Sequence, residues 1–206
     1  MKALIGKKIG MTQVFDDDGR VIPATVVEAG PCIVVQRKTV QRDGYHAIQL
    51  SFGVKKRPNK PMSGHFKKAG VPTGKIVREF RLFKDEEGLE PGSTFTVSVF
   101  APGDLVKVTG RSKGRGFAGG RKRWGFSGGD ETHGCKSHRT PGSMGSAATP
   151  SRTFKGRKLP GRMGNAQVTV RNLEVLRVDE DRNLLLLRGA VPGARNGFLL
   201  IRSAEG

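Results

Sequence analysis

The sequence has no long apolar run. Its longest aliphatic stretch, Leu184-Leu185-Leu186-Leu187, falls far short of the roughly 20 residues that span a bilayer, so a transmembrane helix is excluded. The first eight residues lack an apolar h-region and a small-residue cleavage site, and a cytosolic chain is expected. Cysteine is nearly absent: Cys32 and Cys135 are the only two, far apart and outside any Cys-x-x-Cys, which fits a reducing compartment without a disulfide framework. Acid is scarce as well, with 18 Asp+Glu against 37 Lys+Arg in 206 residues, a formal net charge of +19. Such a charge makes a compact chain repel itself. It points to a polyanionic partner, nucleic acid or an anionic membrane face, ahead of acidic proteins and small neutral substrates.

The scarcest feature is local. Residues 111–164 contain no Val, no Ile and one Leu, Leu159, but 13 Gly and 13 Lys+Arg with only Asp130 and Glu131 in opposition, a net +11. A stretch of that kind cannot build a core and stays extended or irregular unless a partner offsets its ordering entropy. Residues 165–206 carry 14 Val, Leu or Ile, so the chain returns to a folded body that it left near residue 111.

That body reads as strands. Residues 21–27 follow the turn signal Asp17-Asp18-Gly19, and 33–35 follow Gly30-Pro31. After Asp43-Gly44, His46, Ile48, Leu50 and Phe52 alternate with Tyr45, Ala47, Gln49 and Ser51; Phe95, Val97 and Val99 alternate with Thr94, Thr96 and Ser98. Residues 105–108, 168–178, 184–187 and 198–201 complete the set. Many short strands punctuated by turns predict a mainly β chain, a closed or nearly closed antiparallel barrel forming one domain over 1–206. Two interruptions are expected: the 111–164 excursion and a smaller basic insertion at 54–75, with a short helix around 65–69. The insertion holds Lys55, Lys56, Arg57, Lys60, Lys67, Lys68 and Lys75 with no acid. It is either a solvated loop or, given its uniform sign, a second phosphate contact.

Chemically the excursion suits RNA. Arg forks bind phosphate bidentately, Lys supplies point charges, and Gly lets backbones approach closely. The candidate contacts are Lys113, Arg115, Arg121, Lys122, Arg123, Trp124, His133, Lys136, His138, Arg139, Arg152, Lys155, Arg157, Lys158 and Arg162. Phe117, Trp124, Phe126, His133, His138 and Phe154 offer flat faces for unstacked bases. A solubilising tail would fit the charge but not the internal, aromatic-bearing position.

Sharper motifs fail on context. Gly114-x-Gly116-x-x-Gly119 matches a dinucleotide fingerprint, yet no amphipathic helix follows and no strand ends in an acid about 20 residues on. The glycines around 70–75 are spaced too closely for a phosphate-binding P-loop and end in Ile76, where a Mg²⁺-binding hydroxyl is needed. His133, Cys135 and His138 lack a fourth ligand for a tetrahedral metal site, because Cys32 falls in an expected core strand. Cys135 beside His138 lacks a third, orienting group for nucleophilic catalysis. No catalytic residue, metal, cofactor, small-molecule substrate or membrane contact is expected.

Ordered strings then carry a resemblance. Gly6-Lys7-Lys8-Ile9-Gly10-Met11-Thr12, Gly64-His65-Phe66-Lys67-Lys68-Ala69-Gly70-Val71, Ser112-Lys113-Gly114-Arg115-Gly116-Phe117, Lys122-Arg123-Trp124, Thr132-His133-Gly134 and His138-Arg139 come first. Pro141-Gly142-Ser143-Met144-Gly145, Phe154-Lys155-Gly156, Met163-Gly164-Asn165 and Gly189-Ala190-Val191-Pro192-Gly193 follow in the same order. Over essentially its whole length the chain resembles the bacterial form of the universal large-subunit ribosomal protein three, the L-three family. The resemblance implies a six-stranded translation-protein-type barrel with a long extension into 23S rRNA toward the peptidyl transferase centre. It also implies binding near the RNA's 3′ end early in subunit assembly, beside large-subunit proteins fourteen and nineteen. Carried over by position, the extension's tip is Gly145, Ser146, Ala147, Ala148 and Thr149.

Three departures accompany the resemblance. Thr109-Gly110-Arg111-Ser112 adds a positive charge where many members have Thr. Ala148 stands where some members carry a methylated Gln, which excludes that modification. Leu159-Pro160 replaces a common Met-Ala pair, and proline fixes φ and removes a donor. The expected function is a cytoplasmic structural constituent of the large subunit. An off-ribosome RNA chaperone or regulatory RNA-binding module is the alternative, and a barrel-type oxidoreductase built on the glycine motif is the enzyme reading to be tested against both.

Overall fold

The computed structural model describes residues 2–16, 18–82 and 88–204. The Asp17 part of the expected turn lies outside them. The chain runs β1 (Ala3–Phe15), β2 (Val21–Ala29), β3 (Cys32–Lys38), α1 (Val40–Asp43), β4 (Ala47–Val54), α2 (Lys60–Lys68), β5 (Gly74–Arg81), β6 (Thr94–Phe95), a 3₁₀ turn at Val97–Val99 and β7 (Leu105–Arg111). It continues through β8 (Phe117–Ala118), α3 (Gly120–Trp124), β9 (Gly161–Arg162), β10 (Gln167–Asp179), β11 (Leu184–Arg188) and β12 (Phe198–Ser203). The mainly β expectation is met. Two compact units result: Met1–Arg111 with Gln167–Gly206, and Ser112–Ala166.

In the first unit six strands pair antiparallel in a closed ring, β1-β12-β7-β10-β11-β2. Period-2 alternation decides what faces inward. Val106 and Val108 of β7, Leu185 and Leu187 of β11, and Leu199 and Ile201 of β12 are fully buried, while their neighbours along each strand are not. Gly110 is glycine because its strand runs against the opposite side chains: a Cβ there would stand 2.7 Å from Leu199 Cδ2. Leu4 and Ile5 of β1 are also fully buried. Ile5 N–H donates to Cys32 Sγ (3.4 Å) and the thiol donates back to Ile5 O (3.3 Å), so β3 lies against this part of β1.

The remaining strands form a separate sheet, β5-β4-β3-β6, rather than joining the ring as the single-barrel reading supposed. The connections between β3, β4 and β5 are short enough for a local meander, and β3 and β5 both pair with β4. One expected strand is corrected. Of the 94–99 alternation only Thr94–Phe95 pairs, and Val97–Val99 closes a 3₁₀ turn through Phe100 N–H to Val97 O (3.0 Å). The hydroxyls of Thr96 and Ser98 bond each other (2.7 Å), while Val97 and Phe100 are buried as the turn's anchors. Hydroxyl side chains of this kind compete with ladder bonding.

Candidate nucleic-acid interface

The second unit begins as two antiparallel limbs. Ser112 N–H donates to Ala166 O (2.9 Å), Asn165 N–H to Lys113 O (3.3 Å), Arg115 N–H to Met163 O (2.9 Å) and Met163 N–H to Gly116 O (2.9 Å), continuing into the β8–β9 pair. Glycine permits this spacing: Gly164 has φ +71° and its Cα lies hard against the Lys113 carbonyl. Gly114, Gly116 and Gly119 serve this stem and its exit. The only helix after the glycine motif in the unit is the five-residue α3, stopped by Gly125 at φ 71°, so no dinucleotide-binding strand–turn–helix is formed.

Beyond the stem, side chains tie limb to limb. Trp124 Nε1–H and Arg123 Nη1–H both donate to Leu159 O, each at 2.8 Å. The Arg123 guanidinium lies 4.8 Å from the Trp124 ring centre and Lys158 Nζ lies 5.9 Å from it. Farther out, Gly129 N–H donates to Ser137 O (3.1 Å) and Arg121 donates to His138 O (3.4 Å). Near the expected tip Arg157 donates to Ser143 O, and Ser151 Oγ–H donates to Ala148 O (2.6 Å). The Arg152 guanidinium sits 5.9 Å from the Phe154 ring.

Nearly all of the expected contact residues are exposed. Lys113, Arg115, Arg121, Lys122, Trp124, His133, Lys136, Arg139, Arg152, Lys155, Arg157, Lys158 and Arg162 present themselves to solvent; Arg123 and His138 are half-buried. His138 Nδ1 is shielded without a hydrogen-bond partner. Residues 145–149 are exposed throughout. Among the described residues no group of three His, Cys, Asp or Glu side chains is placed to hold a metal ion.

The smaller insertion is better ordered than its charge suggests. Its helix starts at Lys60, five residues before the expected one: Asn59 Oδ1 accepts from Met62 N–H (3.1 Å) and Pro61 lies in the first turn, both start signals visible in the sequence. Phe66 is buried, and His65 Nε2–H donates to Gln49 Oε1 (3.0 Å). Lys56, Arg57, Lys60, Lys67 and Lys68 are exposed, while Lys55 is half-buried with Nζ 3.4 Å from Met62 Sδ.

Behind this helix, Glu79 accepts from Lys38 (2.9 Å), Tyr45 OH (2.8 Å) and Gln49 Nε2 (3.4 Å). Partial burial pushes the Glu79 carboxyl up, but these donors together hold it below its ordinary value. Lys38, bonded to Tyr45 and Glu79, is pushed well above its ordinary value.

Comparison with known proteins decides the family. The profile of Ribosomal protein L3 matches residues 83–184. Proteins named Large ribosomal subunit protein uL3 match across the chain: 56% identity in Thermotoga petrophila (100% of this chain, 98% of that protein), 54% in Thermosipho africanus (100% and 99%) and 55% in Geobacter metallireducens (98% and 97%). The chain belongs to the ribosomal protein L3 family. Members of this family are structural ribosomal proteins and not enzymes, which removes the oxidoreductase reading. No described helix is long and apolar enough to cross a membrane.

Proposed function

We propose that this chain is a structural constituent of the large ribosomal subunit that binds 23S rRNA near its 3′ end and joins early in assembly. Its place of action is then the cytoplasm. The six-strand ring would be the translation-protein-type barrel, and Ser112–Ala166 would run toward the peptidyl transferase centre with residues 145–149 foremost. The observation that carries this reading is the second unit itself: two limbs with glycine-permitted close approach, basic side chains turned outward and almost no aliphatic surface to bury.

Binding has a simple physical basis. Exposed Lys and Arg neutralise phosphates and release counterions, and a stem held by backbone bonds lowers the entropy lost on docking. Arg139, Lys155 and Arg157 bring charge toward the tip. An RNA hydroxyl or base edge would satisfy His138 Nδ1. The insertion's Lys56, Arg57, Lys60, Lys67 and Lys68 form a second contact on a helix pinned by Phe66. Peptide-bond chemistry stays with the RNA. Large-subunit proteins fourteen and nineteen are the proposed protein neighbours.

Sedimentation of a cell lysate with mass spectrometry of each fraction tests the assignment. The chain is expected in the large-subunit fraction and retained through moderate salt; its recovery mainly in ribosome-free fractions would favour an RNA chaperone instead.

A further inference from the structure

We propose that the outer wall of the barrel carries an RNA-phosphate site of its own, a groove across β12, β7 and β10 built on Lys107, Arg171 and Arg202. This rests on the RNA-binding reading above and adds a surface on the first unit, distinct from the 112–166 excursion and the 54–75 insertion. The pairing registers create it. Ile201 opposite Val108 faces the core, so Arg202 opposite Lys107, and Thr109 opposite both Leu200 and Thr169, face out. The resulting groove encloses about 410 Å³, and no Asp or Glu lines it.

Three features distinguish this groove from ordinary surface charge. Arg202 and Lys107 are directly paired across strands, a like-charge placement that costs stability in a sheet. Arg202 is also half-buried, with its guanidinium 4.8 Å from the Phe80 ring centre, and burial lowers its affinity for its own charge. A guanidinium stacked on a ring keeps its in-plane N–H edge for bidentate phosphate binding, and an anion there would offset both the repulsion and the desolvation.

The second feature is a bulge. The β10–β7 register shifts between Val170 and Leu173, with Asn172 at φ +57°, so consecutive residues Arg171 and Asn172 both line one groove instead of alternating faces. Bulges re-aim side chains in this way beside functional sites. The third is the hydroxyl pair Thr109–Thr169, 2.8 Å apart: one hydroxyl donates to the other, leaving the acceptor's own O–H for a phosphate oxygen.

The test uses the full chain and a large-subunit rRNA fragment, titrated over a range of salt. Lys107→Gln with Arg171→Gln removes two outward charges and spares half-buried Arg202, with a thermal melt to show that the fold persists. The log–log salt slope is expected to shrink by about 0.7 to 0.9 per lost contact, roughly 1.5 in all, with weaker binding. Arg121→Gln with Lys122→Gln in the excursion serves as the reference for the known surface. A wild-type chain with a steep slope and a Lys107/Arg171 variant that matches it would overturn the groove and leave the RNA-binding reading intact. A flat wild-type slope would overturn both. An unchanged RNA slope with lost binding to poly-glutamate would assign the groove to an acidic protein, and would also overturn the proposal.

Discussion

Trp124 shows what one side chain does beyond its residue type. Its position after Arg121-Lys122-Arg123 suggested base stacking, but its indole N–H is committed to Leu159 O alongside the Arg123 guanidinium. It therefore clasps the outgoing and returning limbs, whichever part of its ring RNA covers. Trp124→Phe should cost the unit about 0.5–1.5 kcal/mol for the lost hydrogen bond, and Trp124→Ala about 0.5–1 kcal/mol more for the lost cation–ring contact. Amide exchange at Arg115 and Met163, which bridge the stem, should accelerate in that order; equal exchange in all three proteins would contradict the clasp. The two thiols differ as sharply. Burial pushes the Cys32 thiol up to about 11, and its S–H is spent on Ile5 O, whereas Cys135 is half-buried. A thiol reagent at neutral pH should label Cys135 in the native protein and Cys32 only after unfolding; equal rates would contradict the packing of β3 on β1.

At the scale of elements, α2 is a short helix made rigid by one aromatic side chain and one cap. Phe66→Ala should destabilise the first unit by about 3–5 kcal/mol and Asn59→Ala by about 1 kcal/mol, read by denaturant unfolding. A Phe66→Ala variant as stable as the wild type would mean that the insertion is a free loop. Strands whose aliphatics alternate, such as β4, β7 and β12, were legible in the sequence because burial on one face leaves a period-2 mark. Most of β1 was not: Lys7, Lys8, Gly10, Thr12 and Gln13 carry no such mark, and their strand exists because β2 pairs with them through Phe15. β5 was hidden by the basic run that precedes it, and the 94–99 alternation misled because its hydroxyls favour a turn. The basic excursion was legible from composition alone, since a segment without Val or Ile cannot be a barrel strand. The groove on the barrel wall was not, because Lys107, Arg171 and Arg202 meet only through pairings across the closed ring.

For the whole molecule, charge and pH set the working range. Glu79 has a folded value below its ordinary 4.5, so its contribution to stability is present above that pH and is lost as pH falls through the depressed value. Lys38 has a folded value above its ordinary 10.5, so its contribution is complete below that pH and is lost only as pH rises through the raised value. A melt series should therefore show Glu79→Gln matching the wild type most closely at strongly acid pH and falling below it from pH 5 upward; a constant difference at every pH would contradict the linkage.

The central claim is a division of labour between a barrel that folds by burying aliphatics and an excursion that folds by limb-to-limb backbone bonds and engages RNA. Arg111 and Gln167 are directly paired in the β7–β10 ladder, so residues 112–166 can be replaced by a short Gly-Ser hairpin without moving either strand. The most direct measurement is a thermal melt and an rRNA titration on that one shortened protein. The account predicts cooperative unfolding close to that of the full chain and a large loss of affinity with a shallower salt slope. Lost cooperativity would show that the excursion belongs to the barrel's core, and undiminished affinity would show that the barrel alone carries recognition.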